Sequence, residues 1–523
     1  MSQNPNETIA QSAADPATAA PSYSYEPLSI QDRVFLALER QGAHMHVTAT
    51  CVFEGGPLVD SDGSVDLYRL RKHFLSSLAT FPRYRQRLAH VPLEGSPVWV
   101  DDARFDLDYH LRYVRLPGAA DDTSLRRVCG EVLSRALDRD RPLWEAWVVE
   151  GLQGGRFALI TKVHHAVADG VAGMDLLASL LQPGGGASDA LPPPQPAPNA
   201  AQLLAAEVLR RARAPWSWLR DTVPALAAPK DSVTRLTRGA IAMWDALGAG
   251  LRRAPATPLN QAIGGERRFD WLAIDLEAVK DVKNRLGGTV NDVVLTTVAG
   301  ALRRFLDRRG SRPDDLRALV PVNLRTPSQR GVKGNHVTAW LVDLPMRERD
   351  ALRCYTRIRQ STDRLRTSTR SVEGETFTGA GMWALQFAGS LVGALRPFNL
   401  VVTNIPGPTA PLDLLGARLE CAYPQVPLFA GQALGIALFS YAGKLCWGFN
   451  ADEELVPDLD LFTADVSAAF EDLQLVAHLL GKARERAHEP PPPPRAANGH
   501  TPAPRPRRAT AYRNERRRSA AVN

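Results

Sequence analysis

The side chains best suited to chemistry are two adjacent histidines, His164 and His165, in the segment "TKVHHAVADGVAG" (161–173). The pair ends an apolar run, and Asp169 and Gly170 come four and five positions after His165. Histidine titrates near neutral pH, so a fixed imidazole can take a proton from a hydroxyl group. Such a base needs a rigid mount, which the end of a β-strand provides. The pattern therefore indicates acid–base catalysis.

A metal site and an ordinary loop are the two other interpretations of this motif. His164 and Asp169 would supply two ligands, whereas a catalytic zinc needs three protein ligands and a structural zinc needs four. Neither an HExxH helix nor a nearby cysteine pair completes the set, so we expect no metal in this motif. No GxSxG nucleophile elbow is present, which disfavours a serine hydrolase and favours direct attack by a bound hydroxyl.

The elements around the motif predict a strand-to-helix connection. Residues 143–152 and 156–163 have the composition of neighbouring strands joined by a turn at Gly154 and Gly155, and the histidine pair follows the second strand at once. Residues 169–183 have helical spacing. The other elements predicted in this half are a strand over 46–54 and helices over 65–81 and 122–138.

The second half of the chain repeats this mixed α/β pattern. The predicted strands are 268–275, 317–323, 337–344, 399–404, 416–422, 432–440 and 444–449. The predicted helices are 290–309, 349–368, 376–395 and 459–483. The segment 376–395 carries no charge, but its four glycines and several polar residues indicate a buried helix rather than a membrane span.

Charge and cysteine content exclude several classes of protein. The formal net charge is +7, and residues 490–523, with eight arginines and the single acidic residue Glu515, carry all of it. The body of the chain is neutral, so its charge gives no support for nucleic-acid binding. Five scattered cysteines without a CxxC spacing exclude a disulfide framework and a zinc knuckle, and they fit a reducing cytoplasm. The N-terminus lacks the basic start and apolar stretch of a signal peptide.

Composition also predicts the domain organisation of the 523 residues, which exceed the size of one ordinary core. We predict a disordered segment over 1–25, an N-terminal domain over 26–182, a Pro/Gly-rich linker with a helical crossover over 183–262, a C-terminal domain over 263–486, and a disordered Pro/Arg-rich tail over 487–523.

Several segments, taken in order, carry a resemblance to a known family. The HHxxxDG pattern, residues 164–170, is shared by CoA-dependent acyltransferases of the chloramphenicol acetyltransferase type and by peptide-synthetase condensation domains. Over about residues 26–484 the chain more specifically resembles the bacterial wax ester synthase/diacylglycerol acyltransferases. The further matching segments are "PLSIQDRVFLALE" (27–39), "RPLWEAWVVEGL" (141–152), "NDVVLTTVAGALRRFL" (291–306), "VPVNLR" (320–325), Gly334-Asn335 and "TNIPGP" (403–408). Thr403 and Thr296 depart from the serine and alanine that are usual in the family.

This resemblance implies a fold and a reaction. The fold would be α/β, with two chloramphenicol acetyltransferase-like sandwich domains and the active site in the cleft between them. The reaction would be transfer of a fatty acyl group from acyl-CoA to the hydroxyl of diacylglycerol or a long-chain alcohol, giving triacylglycerol or a wax ester. Acyl-CoA would be a substrate, so no cofactor is expected.

The resemblance also implies roles for individual residues. His165 would be the general base without a covalent acyl-enzyme, His164 its support, and Asp169 a residue that orients the loop. Gly170 permits a tight backbone path there.

Five more residues are expected to support the site or contact substrate: Asn291, Asp292, Trp144, Asn404 and Gly407. A helix cap is the alternative for Asn291 and Asp292, and an ordinary core position is the alternative for Trp144.

Two segments rich in tryptophan and arginine, 203–220 and 238–253, have the composition of a membrane interface. A solvated helix packed between the domains is the alternative for each, and the arginine tail either binds anionic lipid or keeps the protein soluble. We expect a cytoplasmic protein peripherally attached to the inner face of the membrane or to lipid inclusions. Two other functions stay open: acylation of a different hydroxyl acceptor by the same fold, and a non-catalytic lipid-binding scaffold.

Overall fold

The computed structural model describes parts of both halves of the chain. The described residues are 23–40, 42–167, 175–181, 191–212, 253–323, 337–370 and 396–488. The strands are β1 (Glu26–Pro27), β2 (His46–Phe53), β3 (Gln86–His90), β4 (Pro97–Asp101), β5 (Leu111–Ala120), β6 (Trp144–Leu152), β7 (Phe157–His164), β8 (Arg267–Asp275), β9 (Leu316–Asn323), β10 (Val337–Leu344), β11 (Leu400–Pro406), β12 (Asp413–Leu414), β13 (Ala417–Gln425), β14 (Leu434–Tyr441) and β15 (Lys444–Asp452). The helices are α1 (Ile30–Leu38), α2 (Leu67–Thr80), α3 (Leu107–His110), α4 (Asp122–Ser134), α5 (Asp175–Leu180), α6 (200–212), α7 (Leu276–Leu286), α8 (Val290–Arg308), α9 (Ala351–Arg370) and α10 (Leu459–His488).

The strand that ends at the histidine pair, β7, lies inside a six-stranded sheet with the order β12–β13–β2–β7–β6–β5. It pairs antiparallel with β2 on one side and with β6 on the other. The register places His46, the first residue of β2, directly opposite His164. An inner strand gives the end of β7 hydrogen-bonded neighbours on both sides, which is the rigid mount that a base requires.

Strand β7 is buried on both faces, which explains its continuous apolar sequence. Lys162 is the exception, because its side chain is charged and fully buried. Its ammonium group donates to the backbone carbonyls of Val132 and Arg135 at the end of α4, and it pairs with Glu145 at 3.1 Å. These acceptors offset the cost of burying the charge, as the negative end of a helix dipole does.

A second six-stranded sheet has the order β10–β9–β11–β14–β15–β8. Helices α8 and α10 pack together beside it, and their apolar side chains join those of the sheet in one large hydrophobic cluster. Strand β11 lies in the interior of this sheet, parallel to β9 and β14. Its carboxyl end at Pro406 therefore presents the residues of the "TNIPGP" segment at one edge of the second sheet.

The two halves of the chain are interleaved. Strands β12 and β13 come from the second half, yet β13 pairs antiparallel with β2 and extends the first sheet. A strand over 416–422 was predicted from the sequence, but its alternation does not specify a partner. The first sheet is thus built from strands that precede the linker and strands that follow it.

Most predicted elements are present, with ends shifted by a few residues. The small sheet β1–β4–β3, strands β5 and β12, and helices α1, α3 and α7 were not predicted. The predicted helix over 376–395 lies outside the described residues, as do residues 213–220 of the first tryptophan/arginine segment and all but the last residue of 238–253. Within the described ranges, no helix has the length and apolar character needed to cross a bilayer.

Candidate active site

The backbone of the histidine pair is anchored on both sides. The amide of His164 donates to the carbonyl of Leu143 at 2.9 Å, and the amide of His165 donates to the carbonyl of Met45 at 2.8 Å. A turn then closes through a 2.9 Å bond from the amide of Val167 to the carbonyl of His164. Residues from three different segments therefore fix the position from which both imidazole rings project.

His164 is buried, and its ring is oriented within the turn. Its Nδ1 accepts a 3.0 Å hydrogen bond from the amide of Ala166. Because Nδ1 is an acceptor, the neutral ring carries its proton on Nε2. That nitrogen lies 3.7 Å from Oε2 of Glu39. This geometry is consistent with the predicted supporting role of His164.

Glu39 is a site residue that sequence reasoning missed, although it ends the "PLSIQDRVFLALE" segment. Its Oε1 accepts a 3.3 Å hydrogen bond from the amide of Met45, and its Oε2 accepts one from Arg139 at 2.5 Å. Burial alone would raise its pKa, but His164 and Arg139 hold the pKa of this carboxyl well below its usual range. A permanent negative charge therefore lies beside the Nε2 proton of His164.

His165 is partly exposed, and its ring stacks on Phe35 with 3.7 Å between centroids and 18° between planes. Its Nδ1 is buried without a hydrogen-bond partner of ordinary geometry in the described part of the chain. Burial lowers the pKa of His165 to about 4, with a smaller contribution from neighbouring His164, while its own backbone carbonyl opposes the shift. The imidazole is therefore neutral at pH 7, which is the form that accepts a proton.

Helix α1 presents Phe35 and Glu39 to the two histidines. The residues are four positions apart, and the amide of Glu39 donates to the carbonyl of Phe35 at 3.1 Å. This spacing puts both side chains on one face of a helical turn. Its start is fixed by a capping box between Ser29 and Asp32. Helix α1 thus supplies the stacking partner of His165, and its C-cap residue supplies the carboxylate beside His164.

In the second sheet region, the structure brings Asn291 and Asn404 together. The amide nitrogen of Asn404, on β11, donates to Oδ1 of Asn291 at 2.8 Å. Reading Asn291 as an N-cap is wrong, because Thr289 occupies that position of α8. The Asn291 amide is consequently available to bond across to β11.

Asp292 does serve as a cap, because it forms a capping box with Thr289. Its fully buried carboxylate accepts from the amide and hydroxyl of Thr289 at 2.7 and 2.8 Å. It also accepts from the hydroxyl of Thr362 on α9 at 2.6 Å. These bonds join the start of α8 to α9, and an additional part in catalysis stays a prediction.

Trp144 lies in the core of the first half. Its indole N–H donates to the carbonyl of Tyr84 at 2.7 Å, and its ring stacks on His110 with centroids 4.7 Å apart. The residue is 1% exposed. These are the contacts of a core tryptophan, so a role along an acyl path stays a prediction.

Gly407 follows β11, where its amide donates to the hydroxyl of Ser440 at 3.1 Å. A Cβ at this position would lie 2.3 Å from the Ser440 carbonyl oxygen, so only glycine fits. Asp169 and Gly170 of the HHxxxDG motif lie outside the described residues. Their predicted roles therefore stay predictions.

The fold alone is shared with a wider class of enzymes. The starter condensation domain of rhizomide synthetase matches with a TM-score of 0.52 and 12% identity, covering 87% of this chain and 95% of that domain. This likeness confirms the predicted α/β class with two sheet-rich halves.

The sequence comparisons are more specific. Residues 28–294 match the wax ester synthase/diacylglycerol acyltransferase catalytic domain, and residues 333–474 match the C-terminal domain of the same family. A putative diacylglycerol O-acyltransferase of Mycobacterium tuberculosis (strain CDC 1551) is 34% identical over 83% of this chain and 87% of its own length. The wax ester synthase/diacylglycerol acyltransferase of Marinobacter aquaeolei VT8 matches with a TM-score of 0.64 and 27% identity, covering 87% of this chain and all of that one. The chain belongs to this family, which confirms the resemblance found in its motifs.

Proposed function

We propose that this protein is an O-acyltransferase that moves a fatty acyl group from acyl-CoA to the hydroxyl of diacylglycerol or a long-chain alcohol. The products are triacylglycerol or a wax ester, together with free CoA. The observation that carries the proposal is the imidazole of His165, anchored where β7 ends by the bond from its amide to Met45 and stacked on Phe35. Membership of the family and relatives named as diacylglycerol O-acyltransferases support the reaction class.

His165 acts as the general base. It takes the proton of the acceptor hydroxyl as the oxygen attacks the thioester carbonyl, which forms a tetrahedral intermediate. The C–S bond then breaks, the CoA sulfur leaves with the bonding electron pair, and His165 returns the proton to it. A thiol has a pKa of about 8.5, so it leaves with little acid assistance. These reaction steps balance in atoms and electrons without an acyl-enzyme and without a cofactor.

Glu39 and His164 hold the turn that carries this base. The ionised carboxylate of Glu39 lies 3.7 Å from Nε2 of His164 and attracts its proton, and the Nδ1 of His164 accepts from the amide of Ala166. The turn therefore keeps one geometry while His165 gains and loses its proton. We assign orientation of the same loop to Asp169, with Gly170 allowing its tight path.

The residues of the second half, together with Trp144 of the first half, complete the site in this proposal. The Asn404–Asn291 hydrogen bond fixes the end of β11 against the start of α8, which supports a role for both in shaping the acceptor side. Gly407 allows the close approach after β11, Asp292 holds α8 in place, and Trp144 borders the acyl path from the core.

We further propose that the enzyme binds its apolar substrates at a lipid surface inside the cell. That surface is the inner face of the membrane or a lipid inclusion. Helix α6 exposes Val208 and Leu209 beside Arg210 and Arg211, with 61% and 50% of the two apolar residues exposed. The Arg211–Glu94 ion pair ties this helix to the loop that exposes Leu93. Apolar side chains flanked by arginines support peripheral attachment to anionic lipid.

Turnover by the His165→Ala variant tests the reaction. Purified protein is supplied with palmitoyl-CoA and either dioleoylglycerol or hexadecanol, and both thiol release and ester formation are followed. Loss of the base should lower kcat by about 10²–10⁴-fold. His90→Ala, which alters an exposed histidine, is the matched control and should retain full activity. Lipid binding without thiol release by the unmodified enzyme would contradict the proposal and favour a scaffold.

A further inference from the structure

Three side chains that can each ligate a metal lie close together near the turn that carries His164 and His165. One donor atom from each of Glu39, His44 and His46 lies within 4.8 Å of the other two. Oε1 of Glu39 is 3.5 Å from Nε2 of His46 and 3.9 Å from Nδ1 of His44. In a tetrahedral zinc site with bonds of about 2.0–2.2 Å, neighbouring ligand atoms lie about 3.3–3.6 Å apart. The three donors are thus close to coordinating distance of a common centre.

His46 packs against the rings of His44 and His164, but its ring nitrogens lack hydrogen-bond partners among the described residues. It is 4% exposed, and both of these nitrogens are buried. Buried polar groups are nearly always satisfied, because an unmade hydrogen bond costs about 1–3 kcal/mol. A cation at Nε2 would satisfy this nitrogen.

The chemistry of the three donors also suits a cation. Two imidazoles and one carboxylate form a donor set typical of zinc.

The surrounding groups can hold the carboxylate in place. Oε2 of Glu39 faces the Nε2 of His164, as groups that orient a metal-bound carboxylate do. Three cations of the described residues lie near the site, and two of them are paired with other carboxylates, Lys162 with Glu145 and Arg267 with Asp452. Arg139 pairs with the same Oε2, but its side chain is 51% exposed and has room to turn toward solvent.

We propose that Glu39, His44 and His46 bind one divalent transition-metal ion of the zinc class, with water as a further ligand. His46 begins β2 and His44 lies two positions before it, and their rings stack with centroids 5.2 Å apart, while Glu39 follows α1. The ion would lock α1 to β2, and through Phe35 and Met45 these segments hold His165. It would be structural, without contact to either substrate. No metal was expected from the sequence, which was searched for ligands only in the HHxxxDG motif and among the cysteines; this proposal departs from that expectation with a different ligand set.

Metal content of the full chain tests this proposal independently of turnover. The protein is produced without a histidine tag in zinc-supplemented medium, and zinc is counted by mass spectrometry. The chelated protein is then titrated with Co²⁺, whose visible absorption reports tetrahedral nitrogen and oxygen ligands. We expect one ion per chain and a melting temperature that falls on chelation.

The variants separate this site from others. His44→Ala and His46→Gln should weaken binding at least about tenfold, and chelation should no longer change their melting temperatures. His165→Ala and His90→Ala should keep the ion, the first despite its lost activity. His44 is partly exposed, so its variant serves if the change at the buried His46 prevents folding. Metal-free wild-type protein after zinc exposure, or undiminished binding in His44→Ala, would overturn the proposal.

Discussion

The ring of Phe35 lies against the imidazole of His165, 3.7 Å away and 18° from parallel. This contact closes one face of the base to water. Desolvation destabilises the protonated form, which is why the pKa of His165 falls to about 4. A histidine without this cover would titrate near 6.5 and be partly protonated at the acidic end of the physiological range.

The pH dependence of kcat/KM follows from this low pKa. The base must be neutral, so activity is lost as pH falls through the pKa and is constant above it. With a pKa of about 4, kcat/KM should change little between pH 5.5 and 7.5. An ordinary histidine would give about a tenfold fall over the same interval. Initial rates of thiol release across that range decide between the two, and a midpoint near 6.5 would refute the buried-base geometry.

Removing the stacking ring should move the acid limb of the profile. Phe35→Ala hydrates the imidazole and raises the pKa of His165 toward 6.5, so activity at pH 5.5 should fall relative to that at pH 7.5. Phe105→Ala is the matched control, because Phe105 stacks on a different histidine, His110. An unchanged profile in the Phe35 variant would show that other groups lower the pKa.

Asp292 should matter first for stability. Asp292→Ala removes a fully buried cap and its bonds to Thr289 and Thr362, so we expect a loss of about 2 kcal/mol in the free energy of unfolding. Asp275→Ala, which removes the exposed cap of α7, should cost about 0.5–1 kcal/mol. Denaturant unfolding of both variants measures the difference. Full stability with lost activity in the Asp292 variant would instead indicate a catalytic role.

Variants of Trp144 test whether this residue only packs the core or also contacts the acyl chain of the substrate. Trp144→Ala should destabilise the protein by about 3–5 kcal/mol, because it leaves a large cavity between Phe74 and His110. Trp144→Phe keeps most of the packing and should cost less. Rates with acyl-CoA of several chain lengths then decide the role: a changed chain-length preference in Trp144→Phe supports the acyl path, and an unchanged one confines the residue to the core.

Cys421 should be the most reactive cysteine. A hydrogen bond from the Cys446 thiol and the ammonium of Lys444, 3.5 Å from the Cys421 sulfur, lower the pKa of Cys421. The thiolate is therefore present at lower pH than in the other cysteines. Burial raises the pKa to about 12 in Cys51, Cys129 and Cys354.

Alkylation at pH 7 followed by peptide mass mapping checks this order. Lys444→Met should slow labelling of Cys421, whereas Lys280→Met, at an exposed position on α7, should leave it unchanged. Faster labelling of Cys51 than of Cys421 would contradict the assignment.

The sequence predicted the parts of the site that depend on local pattern. Alternation and turn residues placed His164 and His165 at a strand end, and the motif order identified the family. The surroundings of the two rings could not be found in this way. Phe35 and Met45 reach His165 through helix packing and strand register, more than 100 residues away in the chain. Glu39 stood in a matching segment, but its role depends on the same long-range packing.

The alternative role of Asn291 as a helix cap fails for a similar reason. Asn291 has the chemistry of an N-cap, yet Thr289 two residues earlier occupies that position. Both residue types are favoured as caps, so composition does not distinguish them. The capping box with Asp292 identifies Thr289 as the N-cap, and the bond from Asn404 gives Asn291 a different partner. Only the folded structure shows these two contacts.

Because β13 of the second half pairs with β2 of the first, the chain cannot be divided freely into separately produced fragments. A fragment that stops in the linker lacks the partner of β2 and exposes a long, largely apolar strand edge. Such edges recruit further strands and cause aggregation. Production of the halves as separate polypeptides should therefore give insoluble N-terminal fragment unless the C-terminal fragment is co-expressed to supply the missing strand.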